Sequence, residues 1–194
     1  MNVRRRVSIL FLLSLFILGG FAGIAHASGS YDNGSPTGYH HLKLDITWNP
    51  FDLVPYGQTY VVWGYGLTNR IDFHGYISHA PGEVNQIYYG LKYCFLKSDR
   101  VDLSTAIGLR QFYLDRTDIF FPQLLYNFHL GSDYLIGGSF VNVQPLSINS
   151  GSLGISFDIA LSIPLSPWLR LDVGLFKSTG GQVYPTYSVG LKPF

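Results

Sequence analysis

The chain has 194 residues, of which 47% are hydrophobic, 16% aromatic and only 13% charged, with a formal net charge of +1. Soluble domains carry about 25% charged residues, so an ordinary water-facing surface is excluded, and with no basic patch so is a nucleic-acid partner. Cys94 is the single cysteine, which excludes an intramolecular disulfide framework and, far from the N-terminus, a lipoprotein anchor.

Arg4, Arg5 and Arg6 precede an apolar stretch from Val7 to Ile24, and Ala25-His26-Ala27 supplies a small-x-small site. That order predicts a secretory signal peptide over residues 1–27. The alternative, an uncleaved anchor, is weakened by Gly19, Gly20 and Gly23 in the second half of the helix. Removing the three arginines leaves ten Lys and Arg against twelve Asp and Glu. Residues 28–38 include the polar stretch Tyr31–Thr37 and predict a flexible lead-in.

From residue 39 one pattern repeats: about ten alternating residues, then a turn. The runs fall near 39–49, 57–67, 69–79, 85–96, 100–113, 121–131, 133–143, 152–164, 168–177 and 183–194. Period-two alternation marks strands with two unlike faces. At ~3.3 Å per residue and a tilt near 40°, ten residues rise about 25 Å, the height of the apolar band of a membrane barrel. Tight turns at Thr68-Asn69, Ser98-Asp99, Ser132-Asp133 and Leu165-Ser166-Pro167 alternate with longer loops. Those loops are Pro50–Gln58, Ala80–Val84, Asp115–Phe120, Gln144–Gly151 and Ser178–Gln182. The expectation is an all-β fold: a single up-and-down antiparallel transmembrane β-barrel over residues 39–194, with ten strands. Eight or twelve strands remain the alternatives.

A soluble barrel would alternate as well, with its apolar face inside; charge and side-chain size decide between the two. Lys43, Asp45, Arg70, Asp72, Lys92, Asp102, Arg110, Asp158, Arg170, Asp172 and Lys192 share one parity with the other polar residues. The opposite parity reads Leu42-Leu44-Ile46-Trp48, Ile87-Tyr89-Leu91-Tyr93-Phe95, Leu169-Leu171-Val173-Leu175, and so on round the chain. A Lys or Arg facing lipid at the bilayer midplane costs about 2–4 kcal/mol, which accounts for so clean a face. The charged parity also holds the small residues, such as Gly64, Gly90, Ser104, Ala106, Gly108 and Gly174, which suit a narrow interior. The interior charges, with His74, Tyr60, Tyr76 and Tyr88, are expected to pair across neighbouring strands as a polar network. Their alternative role is to line a path for a small solute. Trp48, Tyr56, Phe112, Tyr113, Phe120 and Phe121 at the loop end, and Tyr93, Phe95, Trp168 and Phe194 at the turn end, are placed as aromatic girdles.

The chain closes on Tyr187-Ser188-Val189-Gly190-Leu191-Lys192-Pro193-Phe194. A terminal Phe after an alternating strand resembles the C-terminal signature of bacterial outer-membrane barrel proteins. The resemblance implies a cell outer-membrane location in a Gram-negative envelope, contact with outer-membrane lipid, and recognition of the last strand and Phe194 by the insertion machinery. Tyr65-Gly66-Leu67-Thr68-Asn69-Arg70-Ile71-Asp72 looks like a turn of transporter-type outer-membrane barrels.

Catalysis finds little support. No His-x-Ser of the outer-membrane phospholipase pattern occurs, and the one Glu, Glu83, sits in a loop. The loops are too short for the cleft of an omptin-type protease. Asp72, His74 and Ser78 share one face of one strand, but Ser78 lies about 13 Å along it from His74, beyond hydrogen bonding. That leaves His74 as a lumenal histidine beside Asp72. His40 and His41 point to opposite faces and do not chelate together. No cofactor or metal site is expected. The sequence therefore predicts a small channel or transporter-like barrel for small solutes. The alternative is a structural or interaction barrel whose lumen is closed by salt bridges.

Overall fold

A computed structural model describes residues 33–49, 58–79, 85–112, 116–131, 134–146, 154–177 and 183–191. The expected signal peptide 1–27, residues 28–32, Tyr56, Glu83, Tyr113, Lys192 and the terminal Phe194 lie outside the described residues.

Ten strands run in chain order: β1 (Leu42–Asn49), β2 (Gln58–Gly66), β3 (Ile71–His79), β4 (Gln86–Lys97), β5 (Val101–Phe112), β6 (Arg116–Leu130), β7 (Tyr134–Pro145), β8 (Gly154–Pro164), β9 (Leu169–Lys177) and β10 (Val183–Leu191). Every strand pairs antiparallel with its sequence neighbours, and β1 pairs with β10 to close the barrel. The fold is all-β and up-and-down, as the alternation predicted. Closure removes both sheet edges, so no row of unpaired backbone groups is left exposed.

The alternation decides which way each side chain points. On β2 the burial pattern is strict, with Gln58, Tyr60, Val62, Gly64 and Gly66 buried in turn. Outward residues are apolar and bare: Ile46, Trp48, Phe73, Ile77, Leu91, Leu124, Phe140, Ile155 and Val189 are all exposed. Inward residues are polar, small or aromatic, and Asp45, Asp72, Asp102, Asp118 and Asp172 are each no more than 3% exposed. The usual partition of a water-soluble protein is inverted.

The largest difference from expectation is in β6. The expected loop 115–120 is strand from Arg116 to Phe120, which makes β6 the longest element. The register of β6 shifts between Phe120 and Gln123, around Pro122. A bulge moves the inward parity from even residues (Asp118, Phe120) to odd ones (Gln123, Leu125, Asn127). Phe120, assigned to an outer girdle, therefore points inward and is buried. Pro122 sits on the exposed face at the bulge, a place where a strand tolerates proline.

Candidate functional site

The lumen contains three layers. The one nearest the loops pairs Arg110 with Asp118, directly opposite each other on β5 and β6, at 2.6 Å. The Arg110 guanidinium also lies 4.9 Å from the centroid of the Phe120 ring, a cation–π contact.

The middle layer is aromatic. Tyr60 meets Tyr76 edge-on at 5.6 Å, Tyr76 stacks on Tyr88 at 5.2 Å, and Tyr88 meets Phe120 at 5.0 Å. Val62 and Val141 complete the cluster. The Tyr88 hydroxyl accepts from Gln123 Nε2 at 2.8 Å and bonds His74 Nε2 at 3.2 Å. Beside this layer lies a cavity of about 40 Å³, bordered by His74, Tyr88, Gln123, Ser139 and Asp158 among others. It has room for about three waters. Asp158 replaces part of the β7–β8 ladder, its carboxylate accepting from the backbone N–H and, at 2.9 Å, the hydroxyl of Ser139.

Charge concentrates in the layer nearest the turns. On one side Asp45 accepts from Arg170 Nη2 at 3.0 Å and forms an ion pair with Lys43 Nζ, also at 3.0 Å, while Arg170 Nε lies 3.5 Å from Asp172. Arg170 belongs to β9 and Asp45 to β1, so the bridge crosses the intervening β10 at Gly190. A Cβ on Gly190 would lie 2.0 Å from Asp45 Oδ1; only glycine leaves the crossing open. On the other side Asp72 and Lys92, opposite on β3 and β4, pair at 3.1 Å. Asp102 meets His129 Nε2, also at 3.1 Å.

Between these groups lies a segment from outside the strands. Residues 33–38, expected as a mobile lead-in, are held in the turn end of the lumen, with Asn33 and Thr37 buried. Thr37 donates its N–H and hydroxyl to Asp72, at 2.9 and 3.1 Å. Ser35 Oγ donates to Asp102 at 2.6 Å. Lys92 Nζ donates to the carbonyls of Asn33 and Ser35, and Ser104 Oγ donates to that of Gly34 at 2.6 Å. Asn127 Nδ2 donates to Asn33 Oδ1 and Ser35 Oγ. The chain then reverses at Gly38, whose φ is 96°, and enters β1 after His40 and His41 bond to Gly66.

Lys43, Asp45, Asp72, His74, Lys92, Asp102, Arg110, Asp158, Arg170 and Asp172 all face the lumen. Arg70 does not. The turn closes with Thr68 Oγ1 accepting the N–H groups of Arg70 and Ile71, so β3 begins only at Ile71, and Arg70 stays in the turn. The expected neighbours Asp72 and His74 have different partners: Lys92 and Thr37 hold the first, Tyr88 the second. Ser78 is buried without a hydrogen bond among the described residues. Ser78 is therefore linked to neither Asp72 nor His74 among the described residues. Asp118, Gln123, Asn127 and Ser104 were not foreseen as site residues. The β6 bulge hid the first three, although Asp118 and Phe120 do alternate with Thr117 and Ile119.

No protein-family model matches the sequence, and no curated protein matches it. Among solved structures the chain is similar to variants of Rhodopseudomonas blastica porin. One is 11% identical, covering 73% of this chain and 45% of the porin, with a TM-score of 0.39. Another is 12% identical, covering 79% and 50%, also with a TM-score of 0.39. A structure described as showing asymmetric conductivity of engineered proteins is 9% identical, covering 71% and 44%, with a TM-score of 0.38. The chain spans about half the length of these proteins. Its assignment as a closed antiparallel ten-stranded barrel rests on its own strand pairing.

Proposed function

We propose that the protein is a bacterial outer-membrane barrel with a closed lumen, acting as a structural or interaction element of the envelope. The observation that carries this reading is the inverted wall around a filled interior. Apolar side chains cover the outside, while the aromatic cluster and residues 33–38 occupy the middle and the turn end of the lumen. The outer face suits acyl chains, which accept Leu, Ile and Phe at no cost and penalise charge. Export through the signal peptide 1–27 belongs to the same proposal. So does insertion by machinery that reads β10 and Phe194.

A second reading, a channel for a small solute, is favoured by one feature. Gln86, Ser78, Tyr60, Thr47, Ser188, Asp172 and Ser162 are successive register partners from β4 round to β8. They form a slanting polar row from the loop end toward the turn end. Reconstitution into planar bilayers separates the two readings. Folded wild-type protein that inserts and stays silent supports the closed barrel. Steady conductance at low voltage overturns it in favour of the channel.

A further inference from the structure

Residues 33–38 satisfy the conditions of a docked ligand. They contribute no strand to the wall, and they reach acceptors and donors on four different strands, β3, β4, β5 and β6. The contacts are largely to backbone: Lys92 and Ser104 take three consecutive carbonyls, Asn33 to Ser35, and Asp72 takes the Thr37 N–H. The fit is close. A Cβ on Gly34 would lie 2.5 Å from the Asp102 carbonyl oxygen, 2.7 Å from Tyr126 Cα and 2.9 Å from the Leu125 carbonyl oxygen. Those atoms are backbone and cannot move aside, so only a glycine passes there.

The wall beneath the segment is self-sufficient without it. Asp72 keeps Lys92 and Asp102 keeps His129, so each buried carboxylate retains a cationic or hydrogen-bonding partner. Asn127, Ser104 and Lys92 give up bonds that water can replace. These wall pairs do not depend on the segment, and water can take the place of its polar atoms.

We propose that residues 33–38 are a separable plug: a peptide ligand carried in cis, seated in a docking site that the barrel builds at the turn end of its lumen. The chemistry of the site selects a bent segment of small residues with glycine at its second position. Docking depends only on contacts inside the barrel, so it stands or falls apart from the membrane placement.

The native thiol provides the readout. Cys94 is fully buried and is the cross-strand partner of Ser104, whose hydroxyl caps the Gly34 carbonyl. The experiment measures its reaction with a small charged methanethiosulfonate reagent in detergent micelles. Wild type, Gly34→Val and a chain begun at residue 38 are compared, each verified as folded by heat-modifiable gel migration. An undocked minor state populated at ~10% or less makes wild type at least about tenfold slower than either variant. A synthetic peptide of residues 31–38 returns the shortened chain to the slow rate, and the same peptide with Gly34→Val does not. Equal rates in all three folded proteins overturn the proposal, as does a shortened chain that the peptide fails to protect. Gly34→Val alters no barrel strand, so it carries the test if the shortened chain does not fold.

Discussion

Asp45 shows how much a single side chain can hold inside this barrel. It is 1% exposed and joins Lys43 and Arg170 across a glycine gap. Removing one partner of a buried ion pair leaves the other charge uncompensated, at a cost of about 3–5 kcal/mol. Asp45→Ala is expected to lower stability by that amount, read as the shift in denaturant midpoint for refolding in micelles. Gly190→Val blocks the same bridge by pressing on Asp45 Oδ1. The double variant should therefore cost little more than either single one, whereas independent sites would add. Tyr88 plays a similar part in the aromatic layer, touching Tyr76, Phe120, His74 and Gln123. Tyr88→Ala is expected to cost about 3–5 kcal/mol and to merge its space with the adjoining cavity.

At the scale of elements, β6 is the most informative strand. Its bulge at Phe120–Gln123 lets one strand present Asp118 and Phe120 inward below the loops, then Gln123, Leu125 and Asn127 inward toward the turns. Leu124 and Leu125 are adjacent, yet the first is 44% exposed and the second fully buried. That contrast makes a test of the membrane reading. Leu124 pairs with Thr105 and Phe140 near the middle of β5 and β7, so Leu124→Arg faces the bilayer midplane. The expected loss is about 2–4 kcal/mol for folding into lipid vesicles. A surface facing water would tolerate the same change within about 0.5 kcal/mol.

For the whole molecule, width and filling decide behaviour. Ten strands enclose more room than the narrowest filled barrels and less than a porin. Among the described residues that room holds the aromatic cluster, the ion pairs and residues 33–38, with a cavity of about 40 Å³ beside the tyrosines. Wild-type protein in planar bilayers is expected to be silent at low voltage. The chain lacking residues 28–37 tests which layer closes the lumen. If it stays silent while Cys94 becomes reactive, the tyrosine layer seals the barrel by itself and the plug guards only the turn-end vestibule.

The strand count, the outward apolar face and most inward charges were legible in the sequence because strand periodicity acts on every second residue and sorts apolar from charged side chains. Arg70 is in phase with β3 yet exposed, because Thr68 closes the turn at Ile71 and leaves Arg70 before the strand. Asp118 and Phe120 were missed because a proline bulge reverses parity without changing composition. Residues 33–38 were unreadable for a different reason. Their polarity matches a solvated tail, and their partners lie between 35 and 94 residues away. Sequence alone determined the wall, since each strand carries its own two-faced pattern. Only the tertiary structure decided what fills the lumen, because that depends on which side chains closure brings together across the barrel and on whether a polar segment fits between them.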